Sequence, residues 1–227
     1  MLALLSLRRP RNLAALVVSY AALLVFAIAV DDPAAMIIAL APSSLFAPRI
    51  ARLVGAREES AAALMTAALI ASFPLLLIVE PGARSVVDTG LFAFVIGAAL
   101  AGMVPTVRDL VLPVLDGARY AATAIALVVA FLASGELAEP RAYLVAAACL
   151  VIGSLSAAAA ARIFGGGALS SAIGAGTRDP AIAAGIAVGT GMVGGAAVAL
   201  VYAVLLVLAV ALGKLLVRGQ AGRESAR

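Results

Sequence analysis

The sequence predicts an all-α membrane protein of eight transmembrane helices, with an inverted repeat and two broken crossover helices. Three observations carry that prediction: a composition too apolar for a soluble fold, basic residues confined to alternate connections, and two interrupted spans in corresponding places. Of the 227 residues, 65% are hydrophobic and 12% charged, where a soluble domain is about 45–50% apolar and about 25% charged. A spanning helix uses roughly 20 residues, so eight take about 160 and leave a little under a third of the chain for connections. His and Trp are absent and Cys149 is the single cysteine. That excludes a disulfide scaffold, a Cys/His zinc site and any mechanism built on an imidazole base. The formal charge of +4 does not mark a nucleic-acid face, because the basic residues sit at the ends of apolar runs, without a stripe interleaved with aromatics.

Apolar runs fall at 13–30, 34–54, 60–79, 89–107, 118–135, 141–163, 167–187 and 190–213, the last two meeting at the glycine-rich join Gly189-Thr190-Gly191. With the N-terminus placed in the cytoplasm, thirteen of the sixteen Lys and Arg fall on that side: Arg8, Arg9, Arg11, Arg49, Arg52, Arg57, Arg108, Arg119, Arg162, Lys214, Arg218, Arg223 and Arg227. Arg84 and Arg141 fall outside, with the acidic clusters Asp31-Asp32, Glu80/Asp88 and Glu136/Glu139, and Arg178 lies within a span. One missed helix inverts everything after it, so this asymmetry supports eight spans with both termini cytoplasmic. The first run reads as a span rather than a cleaved signal peptide: it exceeds the usual h-region of about 7–15 residues and leads straight into another span. Residues 1–219 therefore form one transmembrane domain, divided into a first core repeat (13–79), a helix pair (89–135) and a second, inverted core repeat (141–213). Residues 220–227 form a polar cytoplasmic tail.

The second span reads Met36-Ile37-Ile38-Ala39-Leu40-Ala41-Pro42-Ser43-Ser44-Leu45-Phe46-Ala47-Pro48. Pro42 and Pro48 disrupt the backbone ladder, and Ser43 and Ser44 between them are able to satisfy freed backbone groups. The seventh reads Gly174-Ala175-Gly176-Thr177-Arg178-Asp179-Pro180 before a run rich in alanine. Proline disfavours the helical conformation at the residue before it, so the helix stops near Asp179, which then caps a half-helix opening at Pro180. Each break is the middle span of a three-helix unit, and the two units run in opposite senses. Paired interruptions in inverted halves are the sequence pointer to a secondary transporter's midplane site.

Pro42-Ser43-Ser44, then Gly55-Ala56-Arg57-Glu58-Glu59-Ser60 and Ala62-Ala63-Leu64-Met65-Thr66, resembles a core segment of the bile acid:sodium symporter family. Gly174-Ala175-Gly176-Thr177-Arg178-Asp179-Pro180-Ala181-Ile182-Ala183 resembles that family's second crossover helix. The resemblance implies two crossing broken helices packed against a panel of helices, with alternating access between them. The family has ten spans; here the first two panel helices are missing, so either a smaller panel suffices or a homodimer completes it. The resemblance also places the family's sodium-coordinating acid at Gly174, its glutamine at Arg178 and its asparagine at Asp179, with its Ser-Asn pair near Phe46-Ala47. Only Ser60 keeps a matching hydroxyl. A hard cation needs a shell of oxygen ligands, so sodium coupling is not expected.

A charge at a helix centre costs about 2.5–3.5 kcal/mol on insertion scales, so Arg178 and Asp179 require an explanation. Arg178 supplies a fixed positive charge where relatives place a cation and, with the half-helix N-terminus, suits the carboxylate of a small organic anion. Asp179 is a candidate for the coupling proton; its competing role, with Arg178, is an internal ion pair and a cap that hold the crossover together. Ser43, Ser44, Gly176, Thr177, Arg178 and Asp179 are the candidate substrate-binding residues, and Ser60 and Asp179 the coupling-ion candidates. No metal site and no cofactor is expected, and no nucleophile–base constellation marks an enzyme. Arg49 and Arg52 are expected to snorkel to the lipid surface, and Arg108, Asp109, Asp116 and Arg119 to form a cytoplasmic connection with local pairing. Gly185, Gly189, Gly191, Gly194 and Gly195 are expected to permit close helix approach or a tight turn, and the run Gly165-Gly166-Gly167 to act as a hinge. The expected function is secondary transport of a small organic anion across the inner (plasma) membrane, without sodium. The competing expectation is a scaffold or binding subunit that keeps the core fold without transporting.

Overall fold

The computed structural model describes residues 10–79, 105–134 and 139–224, and every regular element among them is helical. Five helices are long and apolar enough to cross a membrane, the mark of a multi-pass membrane protein. They are α1 (Pro10–Val30), α4 (Glu58–Val79), α5 (Pro105–Ser134), α6 (Pro140–Ile163) and α9 (Val193–Glu224). Between α1 and α4 lie the short helices α2 (Pro33–Leu40) and α3 (Ala47–Leu53). Between α6 and α9 lie α7 (Ala168–Ser171), a π-helical turn (Ala172–Gly176) and α8 (Pro180–Gly189). Glu80, Arg84, Asp88 and most of the predicted span 89–107 lie outside the described residues, as do Arg8, Arg9 and Glu136.

The five long helices coincide with five of the expected spans, and the spans at 34–54 and 167–187 are each split in two. Two boundaries differ. The expected connection 108–117 is helical, since α5 begins at Pro105 and runs through Pro113. Likewise α9 continues through the expected end at 213 and through most of the polar tail, to Glu224. Composition locates the apolar stretch, whereas a helix propagates past it wherever the backbone ladder continues.

Each half-helix start follows from local chemistry. Asp32 caps α2, its Oδ1 accepting from the N–H groups of Ala34 (2.8 Å) and Ala35 (3.4 Å), with Pro33 at the first position. Asp179 caps α8 in the same way, through Ala181 (3.0 Å) and Ile182 (3.1 Å), with Pro180 first. Pro42 ends α2 by forcing Ala41 out of the helical region, to φ −58° and ψ 142°. Pro48 does not break a helix: it lies in the first turn of α3, where the missing N–H costs nothing.

α1 packs most extensively against α6, the corresponding helix of the second unit, and α9 covers α8, α6 and α5. The closest backbone approach joins α6 to the second break. A Cβ added at Gly176 would stand 2.6 Å from both the Gly153 carbonyl oxygen and the Ser154 Cα. A second lies at Gly174, where an added Cβ would stand 2.8 Å from the Ala61 Cα of α4. Of the glycines expected to permit close approach, Gly195 does so, since an added Cβ would stand 3.1 Å from both the Ala187 Cβ and the Ile37 Cδ1. Among the described residues nothing lies within 4 Å of a Cβ added at Gly185, Gly189 or Gly194. Gly191 has φ +74° and closes the turn after α8, with the Met192 N–H on the Ala187 carbonyl. Gly165, φ +72°, ends α6 by the same device: the Gly166 N–H reaches the Ala161 carbonyl. Close packing at Gly176 is against backbone, which is unable to rotate away. Gly176→Val is therefore expected to cost about 1–3 kcal/mol through overpacking, while Gly185→Ala stays neutral or gains up to about 1 kcal/mol. Thermal melts of the two purified variants check this; equal melting temperatures would refute it.

Candidate functional site

The two breaks meet. The Asp179 N–H donates to the Pro42 carbonyl at 2.8 Å, and the Leu45 N–H donates to Asp179 Oδ2 at 2.9 Å. Asp179, 2% exposed, therefore accepts three backbone N–H groups, two from the helix it caps and one from the opposite break. Unwound backbone inside an apolar core is stable only where its polar groups find partners, and here each break supplies partners to the other.

Tyrosine and arginine side chains complete the accounting. The Arg178 N–H donates to the Tyr202 hydroxyl on α9 at 2.9 Å. The Tyr20 hydroxyl on α1 donates toward the carbonyls of Ala41 (3.5 Å) and Ala68 (3.2 Å) and shares a hydrogen bond with Ser72. Ser44 is buried, its Oγ accepting from the Phe46 N–H at 3.3 Å. Thr177 is buried and its hydroxyl turns back to the Ile173 carbonyl, satisfying the π-helical end.

Arg178 is fully buried. One terminal nitrogen donates to the Ala175 carbonyl at 2.7 Å, the other to Ser19 Oγ at 3.3 Å, and the guanidinium lies 4.0 Å from the centre of the Tyr20 ring. Its Nε has no hydrogen-bond partner, and neither does the buried Ser43 Oγ of the first break. The expected ion pair between Arg178 and Asp179 does not form: the neighbouring side chains leave the backbone for different partners. Among the described residues no carboxylate lies within ion-pairing distance of the guanidinium. Desolvating one such charge costs several kcal/mol, against about 2 kcal/mol for a desolvated cation–π contact. An arginine does not shed its proton to escape that cost. Among the described residues the Arg178 charge is met by a carbonyl, a hydroxyl and a ring face, and by no directly paired carboxylate.

Arg49 and Arg119 reach beyond their own elements, to partners on α5 and at the first break. Arg49 on α3 pairs with Asp116 and the Tyr120 hydroxyl on α5. Arg119 pairs locally with Asp116 at 3.4 Å and donates to the Leu45 carbonyl at 3.3 Å, its guanidinium 4.6 Å from the centre of the Phe46 ring. Leu45 thus has its N–H on Asp179 and its carbonyl on Arg119. Arg52 is exposed and faces Glu58 at 3.9 Å.

Of the expected site residues, Pro42, Asp179 and Pro180 come together at the meeting point, with Ser43, Ser44, Thr177 and Arg178 buried in the adjoining backbone. Gly176 is committed to packing on Gly153, and Ser60 stands half-buried in the first turn of α4, next to Ala61. Ser19, Tyr20 and Tyr202 were not among the expected site residues. Their signal in the sequence is a Ser-Tyr pair and a lone tyrosine in mid-span, away from the interfacial belts where tyrosine is usual. Comparison with known proteins returns no matching family model, no matching curated protein and no matching solved structure.

Proposed function

We propose that this chain is a secondary transporter of a small organic anion, working by alternating access about two crossing broken helices and without sodium. The observation that carries the reading is the fully buried Arg178 guanidinium, with a free Nε and no directly paired carboxylate among the described residues, beside the meeting point of the two breaks. A bound anion supplies the missing negative charge, and the arginine fork suits a carboxylate. The second break opens α8 at the same place, adding a helix N-terminus. In this reading the layout follows the bile acid:sodium symporter pattern with a reduced panel. Gly174 offers no carboxylate where that family holds sodium, and the Asp179 oxygens are occupied by backbone donors.

The topology we propose is eight spans with both termini cytoplasmic in the inner membrane. The ion pairs support its pairing of ends, since Arg49–Asp116, Arg52–Glu58 and Arg141–Asp32 each join residues assigned to one side. α5 is the least covered long helix, with 11% of its span Asp116–Ser134 buried against 33–44% for the other four. A homodimer through α5 would complete the body against which the core moves.

The test is uptake of labelled small mono- and dicarboxylates into proteoliposomes under imposed sodium and proton gradients. Saturable uptake indifferent to sodium is expected; strong sodium stimulation would overturn the sodium-free mechanism. A second reading, a non-transporting scaffold, is favoured by the internal partners already held by both charges and by cavities of about 480 and 630 Å³ that Arg178 does not line. Absence of uptake for every anion, with Arg178 variants equally stable and inert, would select it.

A further inference from the structure

A groove of about 630 Å³ opens on the surface between α3, α6, the π-helical turn and α9. Ile50, Val54, Leu155, Ile173, Leu206 and Val210 line it, and its polar side chains are Ser154 and Thr177. The Thr177 hydroxyl is turned to the Ile173 carbonyl, so the surface offered is almost wholly apolar. Leu155 is exposed within it. For a chain with five membrane-crossing helices, the apolar matter available to such a groove is the bilayer itself.

The charges beyond one end decide what kind of lipid. Arg162 lies two helical turns beyond Leu155 on the same face of α6, and Lys214 one turn beyond Val210 on the same face of α9. Gly213, between Val210 and Lys214, meets the groove residue Val54, since a Cβ added there would lie 3.1 Å from the Val54 Cγ1. The groove therefore runs toward this charged end. Neither Arg162 nor Lys214 has an acidic partner among the described residues, whereas Arg52 nearby faces Glu58. An apolar trough capped by two unpaired cations is complementary to an acyl chain joined to a phosphate.

We infer that this groove binds one anionic phospholipid, its acyl chain along α6 and α9 and its phosphate held by Arg162 and Lys214. The inference is independent of transport. Native mass spectrometry of the full-length protein in neutral detergent, titrated with phosphatidylglycerol and with phosphatidylcholine, tests it. The first phosphatidylglycerol is expected to bind roughly tenfold more tightly, in keeping with two cations near the surface. The double variant Arg162→Gln/Lys214→Gln, both outside the core, is expected to reduce phosphatidylglycerol to the phosphatidylcholine level. Ala209→Trp, filling the groove, is expected to abolish the first adduct of both lipids. Equal binding of the two lipids by the unaltered protein, an undiminished preference in the double variant, or a protein dimer in place of the lipid adduct would overturn it.

Discussion

Arg178→Met is expected to leave the fold intact and to lower anion uptake by roughly tenfold to a hundredfold, the range of a lost charge-assisted hydrogen bond. The stability half of that expectation follows from the buried surroundings. Methionine removes a charge that has no carboxylate partner among the described residues, so its desolvation cost goes with it and offsets the two hydrogen bonds lost. The groups left behind keep other contacts: the Ala175 carbonyl still accepts from Ser19 Oγ at 3.0 Å, and the Tyr202 hydroxyl binds the backbone N–H of residue 178 rather than its side chain. Arg178→Lys retains the charge without the planar fork and is expected to fall between the two. Uptake into proteoliposomes and melting temperature are measured on the same preparations. A variant that melts far lower while transporting normally would reverse the assignment, making Arg178 a structural element and not an anchor.

Asp179→Ala is expected to have the opposite profile, with stability failing first. It removes the cap of α8, a loss of about 0.5–2 kcal/mol. It also strands the half-buried Leu45 N–H of the other break, at about 1 kcal/mol. For a chain of this size the sum lowers the melting temperature by on the order of 10 °C. Asp179→Asn keeps one acceptor oxygen, enough for the cap, but presents an amide to the Leu45 N–H, so an intermediate loss is expected. Hydrogen exchange at Leu45, Ala181 and Ile182 separates the two contributions: both variants should expose Leu45, and the alanine variant alone should expose the start of α8. Unchanged protection at Leu45 would remove the clamp between the breaks from the account.

Together the two variants separate roles that adjacency in the chain conceals. Asp179 is saturated by backbone donors and joins the breaks; Arg178 faces Ser19, Tyr20 and the Ala175 carbonyl, and retains an unused donor. A similar cap at the start of α2 shows the alternative outcome. Asp32 also caps a helix opening at proline, but its second oxygen takes the Arg141 guanidinium at 2.9 Å. That pair is largely exposed on the arginine side, so it is expected to contribute under about 1 kcal/mol.

The sequence by itself determined the five long helices, the interruption of the two apolar segments at 34–54 and 167–187, and the capped start at Asp179-Pro180. These features depend on apolar run length and on proline and capping chemistry acting within a few residues of their cause. It misplaced the ends of α5 and α9, because a helix extends beyond its apolar stretch. Tertiary structure alone decided which way the side chains of Arg178 and Asp179 turn, that Leu45 lies between Asp179 and Arg119, and that Gly153 rather than Gly185 or Gly189 makes the close approach. Those contacts join residues 74 to 159 positions apart or whole helices against one another. No local periodicity encodes them. They arise because backbone freed at each break, in an apolar core, must find its partners on the other.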